Sequence, residues 1–163
     1  SRLSRGLGDV YKRQVFHESS REIIQKYKKL GHNQLFLSDP IKFSEILLEN
    51  RIRQYENAEK LNFKNIFFDR GIPDILAYLT YKNVSFGKNF DDPSNNLRYD
   101  YVFIAEPWEK IFKNDEERYE SFEELKIINK HIKTTYSGNG YDYFILPEDS
   151  IEQRVNFIIK TIK

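Results

Sequence analysis

The chain has 163 residues, which is the size of one domain with a single hydrophobic core. Its 26 Lys and Arg residues balance 25 Asp and Glu residues, and the formal net charge of +1 gives no overall field that would favour a nucleic acid or an acidic membrane surface as a partner. The absence of Cys excludes disulfides and thiolate metal sites and favours a cytoplasmic location, and no apolar run approaches the roughly 20 residues of a membrane span.

Short apolar runs alternate with helical periodicity along the first half of the chain. A long helix is predicted after Asp39-Pro40, because Ile41, Leu48 and Ile52 fall on one face of it. The run at 65–69 is apolar on both faces, which is typical of a buried parallel strand. In order, the predicted elements are a strand at 15–18, a helix at 19–31, the long helix, a strand at 65–69 and a helix at 72–83.

The same alternation continues through the second half. Turn-forming residues at 87–96 predict a polar loop, and Ser150 and Gln153 have the spacing of a capping box at the start of the last helix. The other predicted elements are a strand at 99–106, a helix at 115–136 and a strand at 141–146. Strands that alternate with helices predict an α/β domain whose parallel sheet is covered on both faces.

Three of the predicted strands end in or near an acid, namely Glu18, Asp69 and Glu106. Ligands of open α/β sheets bind beyond the carboxyl ends of the strands, so the sequence predicts a site at this edge. Asp69 suits a magnesium ligand, and the neighbouring Arg70 suits a phosphate or a developing oxyanion. The alternative is that Asp69 caps the following helix while Arg70 pairs with a surface acid.

Other candidate residues lie at a second strand-to-helix junction and in a charged segment. Glu18 is placed to act as a base or to bind a substrate hydroxyl, with Arg21 beside it; the alternative is an acid in the solvated first turn of a helix. Arg118 suits a lid that neutralises transferred phosphate; the alternative is an i,i+4 ion pair. The scattered His17, His32 and His131 lack metal-ligand spacing and are interpreted as non-catalytic.

Four segments carry a family resemblance, and they are "VFHESSREII", "FFDRGIPDILAY", "YDYVFIAEPWEKIFKNDEERYESFEE" and "YDYFILPEDSIEQRVNFIIKTI". In this order they resemble the AAA-type P-loop ATPase domain family, which is related to the kinase domain of NadR-type nicotinamide riboside kinases. The resemblance implies a P-loop NTPase fold, a nucleoside- or nucleotide-kinase-like three-layer sandwich. It also implies ATP and Mg²⁺ as cofactors, with Asp69 as the Walker B-type acid at the metal and Arg70 on substrate or phosphate. Glu18 and Arg21 would face the substrate pocket, and Arg118 would contact the nucleotide from the lid.

The sequence departs from this family at its start. A P-loop requires G-x-x-x-x-G-K-[ST], whose backbone amides cradle phosphates, and the 163 residues contain no such motif. Residues 1–14 resemble a translated sequencing adapter, and the expectation is that they are non-native and that 15–163 form a partial domain without its first strand and P-loop. The alternative is a divergent but genuine N-terminus. Poor binding of nucleoside triphosphate by this chain is therefore predicted.

Two functions remain as hypotheses for the intact parent. The first is an ATP-dependent, kinase-like phosphotransferase that acts on a small metabolite, with Glu18 orienting the acceptor hydroxyl and Arg70 and Arg118 stabilising the transition state. The second is a nucleotide-dependent binding switch in which ATP or GTP orders the 85–98 loop or the lid. In either case a nucleoside triphosphate is the expected partner, and the 163-residue chain itself is expected to be inactive.

Overall fold

The computed structural model describes residues 14–32, 34–112 and 120–162. Within these ranges it contains four short strands and seven helices, together with one 3₁₀ turn at Glu109–Ile111. In chain order the elements are β1 (Gln14–Phe16), α1 (Ser20–Lys29), α2 (Leu35–Ser38), α3 (Pro40–Glu59), β2 (Ile66–Phe68), α4 (Pro73–Tyr81), α5 (Lys88–Asn96), β3 (Phe103–Ile104), α6 (Phe122–Gly138), β4 (Phe144–Ile145) and α7 (Ile151–Thr161).

The strands form two parallel pairs. β1 pairs with β2, with Gln14 opposite Ile66 and Phe16 opposite Phe68. β3 pairs with β4, with Phe103 opposite Phe144. Parallel neighbours require a crossover connection, and helices supply it in both pairs: α1, α2 and α3 lie between β1 and β2 in the chain, and α6 lies between β3 and β4. The predicted α/β class with parallel strands is confirmed.

Helices cover both faces of the strand pairs. On one face, α7 contributes Val155 and Ile158 to a cluster that reaches both pairs, through Val15 and through Phe103. On the other face of β3, Ile104 packs against Tyr136 of α6. Successive residues of a strand point to opposite faces, which explains why the adjacent Phe103 and Ile104 belong to different clusters. The result is the layered sandwich that the resemblance implied.

The largest apolar cluster lies between the helices and fixes α4, the helix that follows β2. Three of its members are almost completely buried, namely Ile72, Ile75 and Leu79, at 0%, 2% and 0% exposure. α3 packs against them through Phe43 and Leu47. Because α4 begins at Pro73, this packing holds the C-terminal end of β2 and the turn after it in a fixed place.

Several predicted helix boundaries are confirmed by their caps. Asp39 accepts a hydrogen bond from the backbone N–H of Lys42 at 2.9 Å at the start of the long helix α3. Ser150 accepts one from the Gln153 N–H at 3.2 Å at the start of α7. Among the residues that the structure describes, no helix is long and apolar enough to cross a membrane.

Other predicted elements are wrong or too long. The predicted loop at 87–96 contains helix α5, because burial of Phe90, which is 1% exposed, outweighs the turn-forming tendency of its Asp, Asn and Pro residues. The predicted helix at 115–136 begins only at Phe122, after a reciprocal capping box between Ser121 and Glu124; part of the prediction, 115–119, lies outside the described residues. The strands predicted at 99–106 and 141–146 are reduced to two paired residues each.

Candidate functional site

The tip of β2 carries the charged residues that the sequence singles out. The Asp69 N–H donates to the Phe16 carbonyl at 2.8 Å, which extends the pairing with β1 by one residue. Arg70 then adopts φ +89°, in the left-handed region that non-glycine residues rarely occupy. The chain passes through Gly71 and enters α4 at Pro73. Asp69 and Arg70 therefore lie at the carboxyl end of a parallel strand, where α/β sheets bind their ligands.

Asp74, in the first turn of α4, connects the groups around this tip. Its Oδ1 accepts from Nη1 of Arg70 at 3.2 Å. Its Oδ2 accepts from the Gly71 N–H at 3.0 Å and from the Tyr136 hydroxyl at 2.6 Å. The Asp74 side chain is 13% exposed and that of Arg70 is 53% exposed, so one partner is anchored while the other still reaches the surface.

Two further side chains fix the backbone of the turn. Arg51 of α3, which is 7% exposed, donates from Nη1 to the Gly71 carbonyl at 2.6 Å. The hydroxyl of Tyr99 accepts from the Ile72 N–H at 3.1 Å. Both backbone groups would otherwise be unpaired polar groups next to a core, so α3 and the segment before β3 hold the turn in place.

Gly71 is required here by space. A Cβ at this position would overlap the Tyr136 hydroxyl and lie 3.1 Å from Cε2 of Tyr99. The positive φ of the turn belongs to Arg70 and not to Gly71. Glycine at this position therefore lets two tyrosine side chains approach the backbone.

The charges of the network stabilise one another. Burial would raise the pKa of Asp74, but Arg70, Arg51 and the donors of Tyr136 and Gly71 outweigh it, and the pKa lies below its usual value. Desolvation would lower the pKa of Arg70, but the carboxylates of Asp74, Glu18 and Asp69 raise it. Burial and the Asp74 charge raise the pKa of Tyr136 well above its usual value. At neutral pH the site thus contains an ionised Asp74, a charged Arg70 and a Tyr136 hydroxyl that donates.

A cavity of about 1560 Å³ opens beside this network. Its walls include the strand residues Ile66 and Phe68 on one side and Val102 and Ile104 on the other, so it lies between the two strand pairs. Its polar and charged lining includes Asp69, Arg70, Asp74, Lys110, Asp149 and Arg154. The Nε of Arg154 is buried without a hydrogen-bond partner among the described residues, and burial lowers the pKa of this side chain.

The structure separates the two interpretations of Asp69 and Arg70. α4 has Ile72 at its N-cap and no side-chain cap, so the helix-cap alternative for Asp69 is wrong. Arg70 does pair with an acid, but that acid is the largely buried Asp74. Asp74 is not among the residues predicted from the sequence, although its i,i+4 spacing from Arg70 in "DRGIPD" is a signal that could have identified it.

The other predicted residues have different outcomes. Glu18 is half-buried and precedes the N-cap Ser19, and its side chain accepts from the Ser20 N–H at 2.6 Å. Its negative charge also raises the pKa of Arg70. Arg21 is exposed on α1 and is not among the residues lining the cavity. Glu106, after β3, forms an ion pair with Lys133 at 2.5 Å. Arg118 lies outside the described residues.

No set of three or more His, Asp or Glu side chains that could hold a metal by themselves occurs in the part of the chain that the structure describes. Mg²⁺ is commonly held by one or two carboxylates together with substrate phosphates, so the donor set at Asp69 fits that mode of binding. The assignment of Asp69 to a metal stays a prediction.

Comparisons with known proteins agree with this architecture. The model of a family described as "AAA domain" matches residues 1–154. Two solved structures of deoxyadenosine kinase from M. mycoides are similar, one with the products dCMP and a flexible dCDP bound and one with dATP bound. The first is 18% identical, with a TM-score of 0.64 over 99% of this chain and 90% of that chain; the second is 20% identical, with a TM-score of 0.63 over 99% and 92%. A comparison with curated protein sequences gives no significant match. At these identities the structural likeness shows the fold.

Proposed function

Because the chain belongs to the AAA domain family, we propose that the protein is the core of a kinase-like phosphotransferase that transfers a phosphoryl group from ATP to a small metabolite. The observation that carries the proposal is the pair Asp69 and Arg70 at the carboxyl end of β2, lining a large cavity in a fold shared with deoxyadenosine kinases. An acid and a guanidinium side by side suit a reaction in which a phosphoryl group and its metal must be held together.

Each charged residue at this edge has a proposed role. Asp69 would hold Mg²⁺, and the ion would supply positive charge to offset the negative charge of the phosphates. Arg70 would direct N–H groups at the transferred phosphoryl group, where negative charge spreads in the transition state. Glu18 would orient the acceptor hydroxyl, since it lies near enough to Arg70 to raise the pKa of its guanidinium. Arg118 would act from the lid. Arg21, on the exposed surface of α1 and outside the cavity lining, would contact only a part of the substrate that extends beyond the cavity.

The acceptor class is proposed from the relatives. The two similar structures are described as deoxyadenosine kinases with deoxynucleotides bound, so a nucleoside is the first candidate acceptor. The printed sequence has no G-x-x-x-x-G-K-[ST] motif to cradle the triphosphate, and we propose that these 163 residues by themselves bind ATP weakly.

The alternative function, a nucleotide-dependent switch, loses part of its support. It invoked ordering of a loop at 85–98, but helix α5 occupies 88–96 and buries Phe90 and Ser94 at 1% and 0% exposure. A segment packed into the core in this way is a poor candidate for an order–disorder transition. The phosphotransferase is therefore the preferred function.

The test is phosphoryl transfer. The chain would be joined to a strand–loop–helix unit from a family member that carries G-x-x-x-x-G-K-[ST], and transfer of labelled γ-phosphate would be measured with a panel of nucleosides and other hydroxylated metabolites. Asp69→Ala is expected to reduce the rate by at least about a thousandfold, since it removes the metal ligand, while Asp92→Ala on the exposed surface of α5 serves as the control. Retained transfer in Asp69→Ala refutes the metal role, and slow hydrolysis with no labelled acceptor supports the switch.

A further inference from the structure

The backbone at Arg70 has a conformation that needs external support. A non-glycine residue at φ +89° is strained, and such strain persists only where the surroundings over-determine the conformation. Here the next peptide groups are all held: the Gly71 N–H by Asp74, the Gly71 carbonyl by Arg51 and the Ile72 N–H by Tyr99. The turn is thus built as a rigid unit.

Asp74 bonds both the backbone of the turn and the side chain of Arg70. One carboxylate oxygen accepts from Arg70 and the other from Gly71 and Tyr136. The hydroxyl of Tyr136, on the buried face of α6, restrains the carboxylate from the far side. Because Asp74 is largely buried and Arg70 is about half exposed, the pair has an anchored end and an end that faces the cavity.

We propose that Asp74 is a positioning residue that holds the Arg70 guanidinium at the cavity so that its remaining donors meet a phosphate group. A guanidinium has five N–H donors in a fixed fork, and the bond to Asp74 engages Nη1. Fixing one arm of the fork orients the others and removes part of the side-chain entropy that a free arginine loses on binding. The inference rests on the proposed function in one respect, the assignment of phosphate to Arg70.

The sign of the Asp74→Asn effect tests this proposal. If Asp74 were merely a nearby negative charge, its neutralisation would strengthen the binding of an anion. If Asp74 positions Arg70, the same substitution weakens binding, by about tenfold if the loss matches that of one charge-assisted hydrogen bond. The two explanations therefore predict opposite changes.

The experiment uses the full 163-residue chain labelled with ¹⁵N and inorganic pyrophosphate as the probe, at constant ionic strength. The Nε–Hε resonance of Arg70, assigned with Arg70→Lys, reports binding. Asp74→Asn is compared with Asp92→Asn, which makes the same charge change at an exposed site and is expected to leave the affinity within about twofold. Tyr136→Phe retains the Asp74 charge but removes one restraint, and is expected to weaken binding by about threefold.

The outcomes separate this inference from the proposed function. If pyrophosphate leaves the wild-type Arg70 resonance unchanged, the phosphate role of Arg70 fails and the inference fails with it. If the wild type responds but Asp74→Asn binds equally well or more tightly, the positioning role alone is overturned. If Asp74→Asn does not fold, Tyr136→Phe decides: weaker binding at Arg70 supports the proposal, and unchanged binding refutes it.

Discussion

Substitution of Gly71 by Ala tests the packing at the heart of the site. The added Cβ overlaps the Tyr136 hydroxyl and lies 3.1 Å from Cε2 of Tyr99. Tyr136 is 5% exposed, so its ring has little room to withdraw. Any displacement also disturbs the 2.6 Å hydrogen bond from Tyr136 to Asp74. A single methyl group therefore forces a choice between steric overlap and loss of a buried, charge-assisted hydrogen bond.

The magnitude follows from these two costs. Overpacking of a rigid core costs about 1–3 kcal/mol, and a hydrogen bond to a charged group contributes about 1.5–3 kcal/mol. Because relief of one cost incurs the other, we expect Gly71→Ala to lower the free energy of unfolding by about 2–4 kcal/mol. Tyr136→Phe removes the overlapping oxygen, so the double variant should lose at least about 1 kcal/mol less than the sum of the two single variants.

The assay is urea denaturation of the four proteins of this cycle, followed by circular dichroism. Gly138→Ala is the matched control, because a Cβ there has nothing within 4 Å, and in the last turn of α6 it should be neutral or slightly stabilising. If Gly71→Ala changes stability by less than about 0.5 kcal/mol, or if the two single effects add to within that margin, the reasoning is refuted.

The remaining predictions concern charge, the core and the turn. The pKa of Asp74 is lower in the folded state than its usual 3.8, so its ionised form stabilises the fold above about pH 4, and this stability is lost as the pH falls through the folded pKa. The free energy of unfolding should therefore fall less steeply with acid in Asp74→Asn than in the wild type. Equal slopes would contradict the assignment. Phe90→Ala should cost about 3–5 kcal/mol of unfolding free energy in the same urea assay if α5 is packed as described, and a loss below about 1 kcal/mol would restore the loop interpretation. Arg51→Ala should lower the free energy of unfolding by about 2–4 kcal/mol, because it leaves the Gly71 carbonyl without its donor. Arg53→Ala, two residues later and exposed on α3, should change it by less than about 0.5 kcal/mol.

The elements that the sequence predicts correctly are those whose signals are local. The long helix after Asp39-Pro40 is predicted by its repeating apolar face, and the structure adds a cap at Asp39 and a Pro in the first turn. All of these act within a few residues. Helix α5 is not predicted, because its local residues favour a turn and its stability comes from Phe90 in a core formed by distant elements. The short β3 and β4 pairing likewise depends on which segments meet, which periodicity does not specify.

The candidate site likewise has features that the sequence predicts and contacts that it does not. The residues alone predict that Asp69 and Arg70 follow an apolar strand and that acids lie at the strand ends. The direction of parallel strands places their last residues at one edge of the sheet. Most of the contacts around these residues depend on how the helices pack. Around Gly71 the fold brings together Arg51, Tyr99 and Tyr136, which are distant in the sequence. They meet because α3, α4 and α6 pack together, and contacts between distant segments are fixed by the packing of the whole core.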